Sequence, residues 1–261
     1  MACHPPASAS PAPLIPAFSP QGGRSEASKM RMSMDPSHLA ANLDDVRRRI
    51  AQACREAGRD PAEVALLPVS KTFGPEAIRA AVALGLHRFG ENRVQEIRDK
   101  AGPLADCGIA WVVIGHLQTN KAKDVARLAS EVQSLDRPEL AEALQHRLEI
   151  EGRELDVLVQ VKTSPEESKH GLPPAALEGF LERLRDFPRL RVRGLMTMAV
   201  QSDDPAAVRA CFRRLRELRD AMRARGHALP RLSMGMSGDF PLAIAEGATE
   251  VRIGTALFGR R

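Results

Sequence analysis

From Pro36 to Ala57 the apolar positions Leu39, Leu43, Val46, Ile50, Cys54 and Ala57 step by three or four, and Gly58 follows. That is the stripe of an amphipathic helix with its stop. A short apolar run, Ala65-Leu66-Leu67-Pro68-Val69-Ser70, then ends in Lys71, and Thr72-Phe73-Gly74-Pro75 breaks the chain. It reads as a buried strand that delivers one amine to a rim. After it, strand-like and helix-like segments alternate. Strands are predicted at 87–90, 110–114, 131–135, 156–161, 191–195, 231–234 and 250–253. Helices are predicted at 75–84, 94–100, 120–129, 138–151, 173–185, 205–225 and 240–246, several opening on Pro and closing on Gly. The last strand is followed only by a short tail.

Alternating β and α fits either an open doubly wound sheet or a closed (β/α)8 barrel. Eight strands favour the barrel, as does the lack of a Gly-rich dinucleotide fingerprint after the first one. In a barrel, chemistry gathers where strands end and βα loops begin. The strand ends here carry Lys71; Gly90-Glu91-Asn92-Arg93; Gly115-His116-Leu117-Gln118-Thr119-Asn120-Lys121; Ser134-Leu135-Asp136; Lys162; Met196-Thr197-Met198; Ser237-Gly238-Asp239; and Arg252 with Gly254-Thr255.

Composition narrows the classes. The chain has 261 residues, is 43% hydrophobic and holds no apolar run near the roughly 20 residues of a membrane span. Its net charge is +5, and its arginines are mixed with acids, as in Arg213-Arg214-Leu215-Arg216-Glu217. With no Tyr and one Trp, this suits solvated helix faces rather than a nucleic-acid surface. Cys3, Cys54, Cys107 and Cys211 show no paired spacing, which suits the reducing cytoplasm and gives no disulfide or zinc signal. Residues 1–35 differ: a Pro/Ala/Ser-rich extension, expected to be disordered, without the apolar core or basic start of a secretory signal. Met30, Met32 and Met34 before the first helix suit an upstream-extended start.

Three strand-end groups suggest chemistry. Ser237-Gly238 before a short helix and Gly254-Thr255 after the last strand can form a phosphate cradle of backbone N–H groups; the alternative is plain capping and turning. Lys71, if buried, would have its charge disfavoured and become a nucleophile toward aldehydes; the alternative is an ion pair with Glu91 or Asp136. Arg252, inside Val251-Arg252-Ile253, either bonds a ligand heteroatom or closes a salt bridge in the barrel. His116 orients a ligand or is an ordinary loop histidine, since no second metal ligand lies at metal spacing.

Val69-Ser70-Lys71-Thr72, Gly90-Glu91-Asn92, Gly115-His116-Leu117-Gln118-Thr119-Asn120-Lys121, Gly194-Leu195-Met196, Ser233-Met234-Gly235-Met236-Ser237-Gly238-Asp239 and Arg252-Ile253-Gly254-Thr255 stand in the order seen in one family. Over residues 36–261 the chain resembles the YggS/PROSC family of pyridoxal 5′-phosphate (PLP) homeostasis proteins. The resemblance implies a single TIM barrel like the alanine racemase N-terminal domain. It further implies PLP held by Lys71 as a Schiff base, the internal aldimine. Asn92 lies near the cofactor, Ser237, Gly254 and Thr255 hold the phosphate, Arg252 faces the pyridine nitrogen, and His116, Met196 and Gly238 are further neighbours. An arginine at the ring nitrogen stays protonated and weakens the electron sink. Two departures stand out: Lys162 where the family usually has Asn, and Arg93-Val94 where many members carry an aromatic.

The implied role is a non-catalytic PLP carrier, monomeric and cytoplasmic, delivering to apo PLP-dependent enzymes, without nucleic acid or membrane. The alternative is a PLP-dependent amino-acid racemase. Racemisation needs a proton donor on each face of the substrate carbanion. The family's racemase relatives use a tyrosine and a C-terminal β-domain. This chain has no tyrosine, and only a short tail follows the last strand. A Schiff-base aldolase working without a cofactor would leave Arg252 no task.

Overall fold

The computed structural model describes residue 1, residues 36–166 and residues 170–259. Apart from Met1, the extension expected over residues 1–35 lies outside the described residues. The barrel belongs to a compact unit spanning Ser33–Arg261.

Eight strands form one parallel sheet: β1 (Ala65–Pro68), β2 (Arg88–Glu91), β3 (Ala110–Val113), β4 (Ala129–Leu135), β5 (Leu155–Gln160), β6 (Leu190–Met196), β7 (Arg231–Ser233) and β8 (Glu250–Ile253). Each pairs with its sequence neighbour from β2 to β8, and β8 pairs with β1. The ring closes where Val69 bridges to Gly90 and the Ser70 N–H donates to the Gly90 carbonyl at 3.1 Å. The expected (β/α)8 barrel is therefore the observed fold.

The helices α1 (Pro36–Glu56), α2 (Pro75–Ala83), α3 (Val94–Ala101), α4 (Ala122–Leu128), α5 (Pro138–Glu151), α6 (Leu177–Leu184), α7 (Pro205–Ala224), α8 (Phe240–Ala245) and α9 (Thr255–Phe258) surround it. Proline suits a first helical turn because its missing N–H has no partner there anyway, and α2, α5 and α7 all begin on one. Asp204 caps α7 by accepting from the Ala206 N–H at 2.9 Å. The helix expected from Pro173 opens instead as a 3-10 turn, Pro174–Ala176, and becomes α-helical at Leu177. The expected short tail includes α9, whose Leu257 and Phe258 are buried. The leading helix α1 packs on α8 and α9. Its stripe of Leu39, Leu43, Val46, Ile50 and Cys54 is buried as the spacing predicts. Each such aliphatic side chain contributes about 1.5–3 kcal/mol.

The main core lies between strands and helices, while a small apolar cluster of Leu67, Val69, Val112 and Ile114 is separate from it. The next group is polar, and strand alternation places it on one face. Glu131 and Gln133 on β4 and Glu250 and Arg252 on β8 sit two apart. Arg231 donates to both Glu131 oxygens, at 2.8 and 3.0 Å, and to Glu250 at 2.8 Å; Arg88 bonds the same two carboxylates. Burial opposes the charge on Glu250, yet Arg231 and Arg88 hold its carboxyl below the usual range. This buried, fully paired layer was not anticipated, since the sequence argument placed the functional polar residues at strand ends.

Candidate functional site

At the carboxyl end of the barrel a cavity of about 610 Å³ is lined by Lys71, Asn92, Ser237, Gly238, Arg252, Gly254 and Thr255, with Val69, Phe73, Ile114, Met198, Met236 and Gly259 completing it. Seven residues singled out from the sequence thus share one space of the size that small ligands occupy. Met196 is buried in β6 and does not line it; Met198 does. His116 and Lys162 also lie outside the lining. The apolar contributors were not singled out from the sequence, although Met198 and Met236 stand inside strand-end segments that were.

The lining of described residues contains two cationic side chains, Lys71 and Arg252, and no carboxylate. It also carries spare donors. Ser237 Oγ accepts from the Ala256 N–H at 3.3 Å, joining the loops after β7 and β8. The backbone N–H groups of Ser237, Gly238 and Thr255 make no hydrogen bond among the described residues. Unpaired backbone donors in a cavity that also holds a cation suit an anionic group.

Arg252 is 4% exposed and forms the floor. It donates to Ser233 Oγ and to the Thr197 carbonyl, both at 2.8 Å. Both hydrogen-bond partners are neutral, so no direct salt bridge forms; the carboxylates of Glu250 and Asp239 favour its charge without bonding it. Burial pulls its pKa down to about 10, which leaves it a cation at neutral pH. Ser233 Oγ in turn donates to Gln133, at 2.6 Å, tying the floor to the polar layer.

Lys71 departs from expectation. Its strand ends at Pro68, and Lys71 and Thr72 form a turn in which Lys71 is exposed. The burial invoked for it is therefore absent; what defines its place is the ground beneath. Thr72 holds φ 67°, the one non-glycine residue with positive φ among the described residues. For a β-branched side chain that is strained. Its N–H donates to Glu96 Oε2 at 2.5 Å. Lys100 Nζ bonds Glu96 at 3.0 Å, the Ser70 carbonyl at 3.0 Å and Glu91 Oε1 at 2.8 Å; Ser70 Oγ donates to Glu91 Oε1 at 2.6 Å. Glu91 and Lys100 are both buried. Burial pushes the Glu91 carboxyl above the ordinary carboxylate range, with Lys100 and Ser70 opposing. Burial works against Glu96 too, but the Thr72 N–H and Lys100 hold its carboxyl below that range. This network clamps residues 70–72 and was not found from the sequence. Its one local signal is the Glu96–Lys100 spacing of four on α3.

Asn92 is placed by the same segment, against the loop after β3. A Cβ on Gly115 would lie 2.2 Å from the Asn92 carbonyl oxygen, so only glycine fits. The chain then delivers His116 away from the cavity. Its Nδ1 lies 3.7 Å from Asp136, and its ring stacks on His170 with centroids 4.0 Å apart. Burial and the neighbouring His170 lower the His116 pKa, with Asp136 opposing.

Comparisons with known proteins place the chain by family and fold. A family model described as the alanine racemase N-terminal domain matches residues 37–261. The chain is 46% identical over 220 residues to a pyridoxal phosphate homeostasis protein of Aquifex aeolicus, covering 84% of this chain and 96% of that one. It is 45% identical over 225 residues to the protein of the same name from Pseudomonas aeruginosa, covering 86% and 96%. Among solved structures it resembles PipY of Synechococcus elongatus PCC7942, determined with PLP bound, at 37% identity and a TM-score of 0.75 over 85% of this chain and 100% of PipY.

Proposed function

Because the chain belongs to the pyridoxal phosphate homeostasis protein family, within the wider alanine racemase N-terminal domain family, we propose that its barrel-mouth cavity binds PLP for intracellular homeostasis without catalysing a reaction. Bound PLP supplies an aldehyde that condenses reversibly with a primary amine, and an electron-withdrawing pyridine ring. The residues present suit it. Lys71 is the amine that holds the aldehyde. The N–H groups of Ser237, Gly238 and Thr255 and the loop at Gly254 receive the phosphate. Arg252 would face the ring nitrogen and, as a cation, would leave that nitrogen without a proton. Asn92 would border the ring.

One observation carries the non-catalytic part: of the described residues lining the cavity, only Lys71 and Arg252 titrate. Two-sided proton transfer needs an acid/base group on each face. His116, the strand-end histidine, faces Asp136 and His170 instead. The free thiols Cys54, Cys107 and Cys211 suit the reducing cytoplasm. No described helix is long and apolar enough to cross a membrane. We take the barrel to act as a monomer that hands PLP to apo-enzymes.

The test is spectroscopic. The protein purified from PLP-replete cells should be yellow, lose the visible band in Lys71→Ala, and carry the reduced PLP adduct on the Lys71 peptide after borohydride treatment. A colourless protein, or an adduct on Lys162, would overturn the assignment. Interconversion of L- and D-amino acids above the Lys71→Ala blank would overturn the carrier role.

A further inference from the structure

The loops after β3, β4 and β5 bring together three potential metal ligands that the cavity does not use. One ligand atom each from His116, Asp136 and His170 lies within 4.8 Å of the other two. A tetrahedral zinc with ligands at about 2.0–2.1 Å holds them about 3.4 Å apart. The His116 Nδ1 to Asp136 Oδ2 separation, 3.7 Å, is already near that value. The two histidines are exposed, so small side-chain rotations can close the remainder.

The supports are built. Asp136 Oδ1 is engaged by Arg137 at 2.6 Å, and Arg137 also donates to the Leu117 carbonyl at 2.7 Å. That turns Oδ2 toward His116 and ties the β3 and β4 loops together. Buried Gln160, the last residue of β5, donates to the His170 carbonyl at 2.9 Å and accepts from the Leu172 N–H at 2.8 Å. Gly115 fixes the turn that aims His116. The two rings stack with centroids 4.0 Å apart and 16° between planes, which brings their nitrogens to the same side of the mouth as Asp136. Arg137, bonded to Asp136, puts a positive charge beside the cluster and weakens the site; three protein ligands leave a fourth position for water.

We propose that His116, Asp136 and His170 form a divalent transition-metal site on the barrel mouth, separate from the PLP cavity, with zinc as the borderline-soft ion that two imidazoles and one carboxylate suit. It involves none of the cavity-lining residues, so PLP binding does not depend on it.

Untagged full-length protein with Cys3→Ser and Cys107→Ser, which removes competing thiols, is titrated with Zn²⁺ by calorimetry. One saturable equivalent is expected. His116→Ala, Asp136→Asn and His170→Ala should each weaken it by about tenfold or more, with the PLP band unchanged. Imidazole NMR on the unsubstituted cluster reads the same site without variants, since zinc should shift the ring signals of His116 and His170 together. Absence of saturable binding, unchanged affinity in the two histidine variants, or unmoved His116 and His170 rings would each sink the proposal.

Discussion

Lys100→Met tests whether the buried network positions the Schiff-base candidate. Methionine keeps most of the lysine stem but removes the ammonium. Glu91, 0% exposed, then keeps only the Ser70 hydroxyl, since its Oε2 already has no hydrogen-bond partner. Removing one partner of a buried ion pair costs about 3–5 kcal/mol, and both Lys100 and Glu91 are buried enough for little screening. The cost should depend on pH. Lys100 is what opposes the upward shift of Glu91, so its loss raises the Glu91 pKa further. A carboxyl with a raised folded-state pKa binds its proton more readily in the native than in the unfolded state. Stability then falls as pH rises toward that folded pKa. Lys100→Met should therefore be closer to wild type near pH ~5 than near pH ~8. Urea unfolding followed by the buried Trp111 reads both. Glu91→Gln with Lys100→Met should restore about 1–2 kcal/mol or more relative to the sum of the single changes. Weaker PLP capture should accompany the single variant, because the Ser70 carbonyl loses its partner and Glu96, which accepts from the Thr72 N–H, loses its ion pair. A loss under about 1 kcal/mol, or a pH-independent one, would refute the reasoning.

Two further outcomes follow. Thr72→Gly should be neutral or raise stability by up to about 1 kcal/mol in the same urea assay, because relief of the positive-φ threonine offsets the added unfolded-state freedom; a larger loss would mean the threonine side chain itself stabilises the turn. Arg252→Met should change stability by less than about 2 kcal/mol, since it removes a buried charge with neutral partners, yet weaken PLP binding about tenfold or more by spectral titration; unchanged binding would detach Arg252 from the cofactor.

The barrel was legible because both periods are written plainly. Leu39 to Cys54 step as a helix face, and Pro75, Pro138 and Pro205 mark helix starts at the positions found. Most of the site was legible too, because strand-end segments with unusual residues converge in this topology. Illegible parts share a cause: they depend on contacts between elements or on one dihedral. Val69-Ser70-Lys71 looks uniformly buried in sequence, yet the chain turns at Thr72 and exposes Lys71. Glu131 and Glu250 look like stray acids until Arg88 and Arg231 are seen between them. His116 had no ligand at metal spacing because Asp136 and His170 arrive from other strands.

The exposure of Lys71 also bears on why a barrel shared with enzymes would serve as a carrier. Catalytic sites exclude water to strengthen their electrostatics and protect reactive states. Here Lys71 is an exposed residue, so on the proposed assignment a bond from it to an aldehyde would stay open to hydrolysis and release. Position is meanwhile kept from below: Glu91 and Lys100 are buried, and through Ser70, Glu96 and Thr72 they fix the backbone on both sides of Lys71. Arg252, also buried, is held in the floor by Ser233 and the Thr197 carbonyl. A rigid support under an exposed lysine would favour specific capture without deep sequestration, the balance that the proposed buffering role requires.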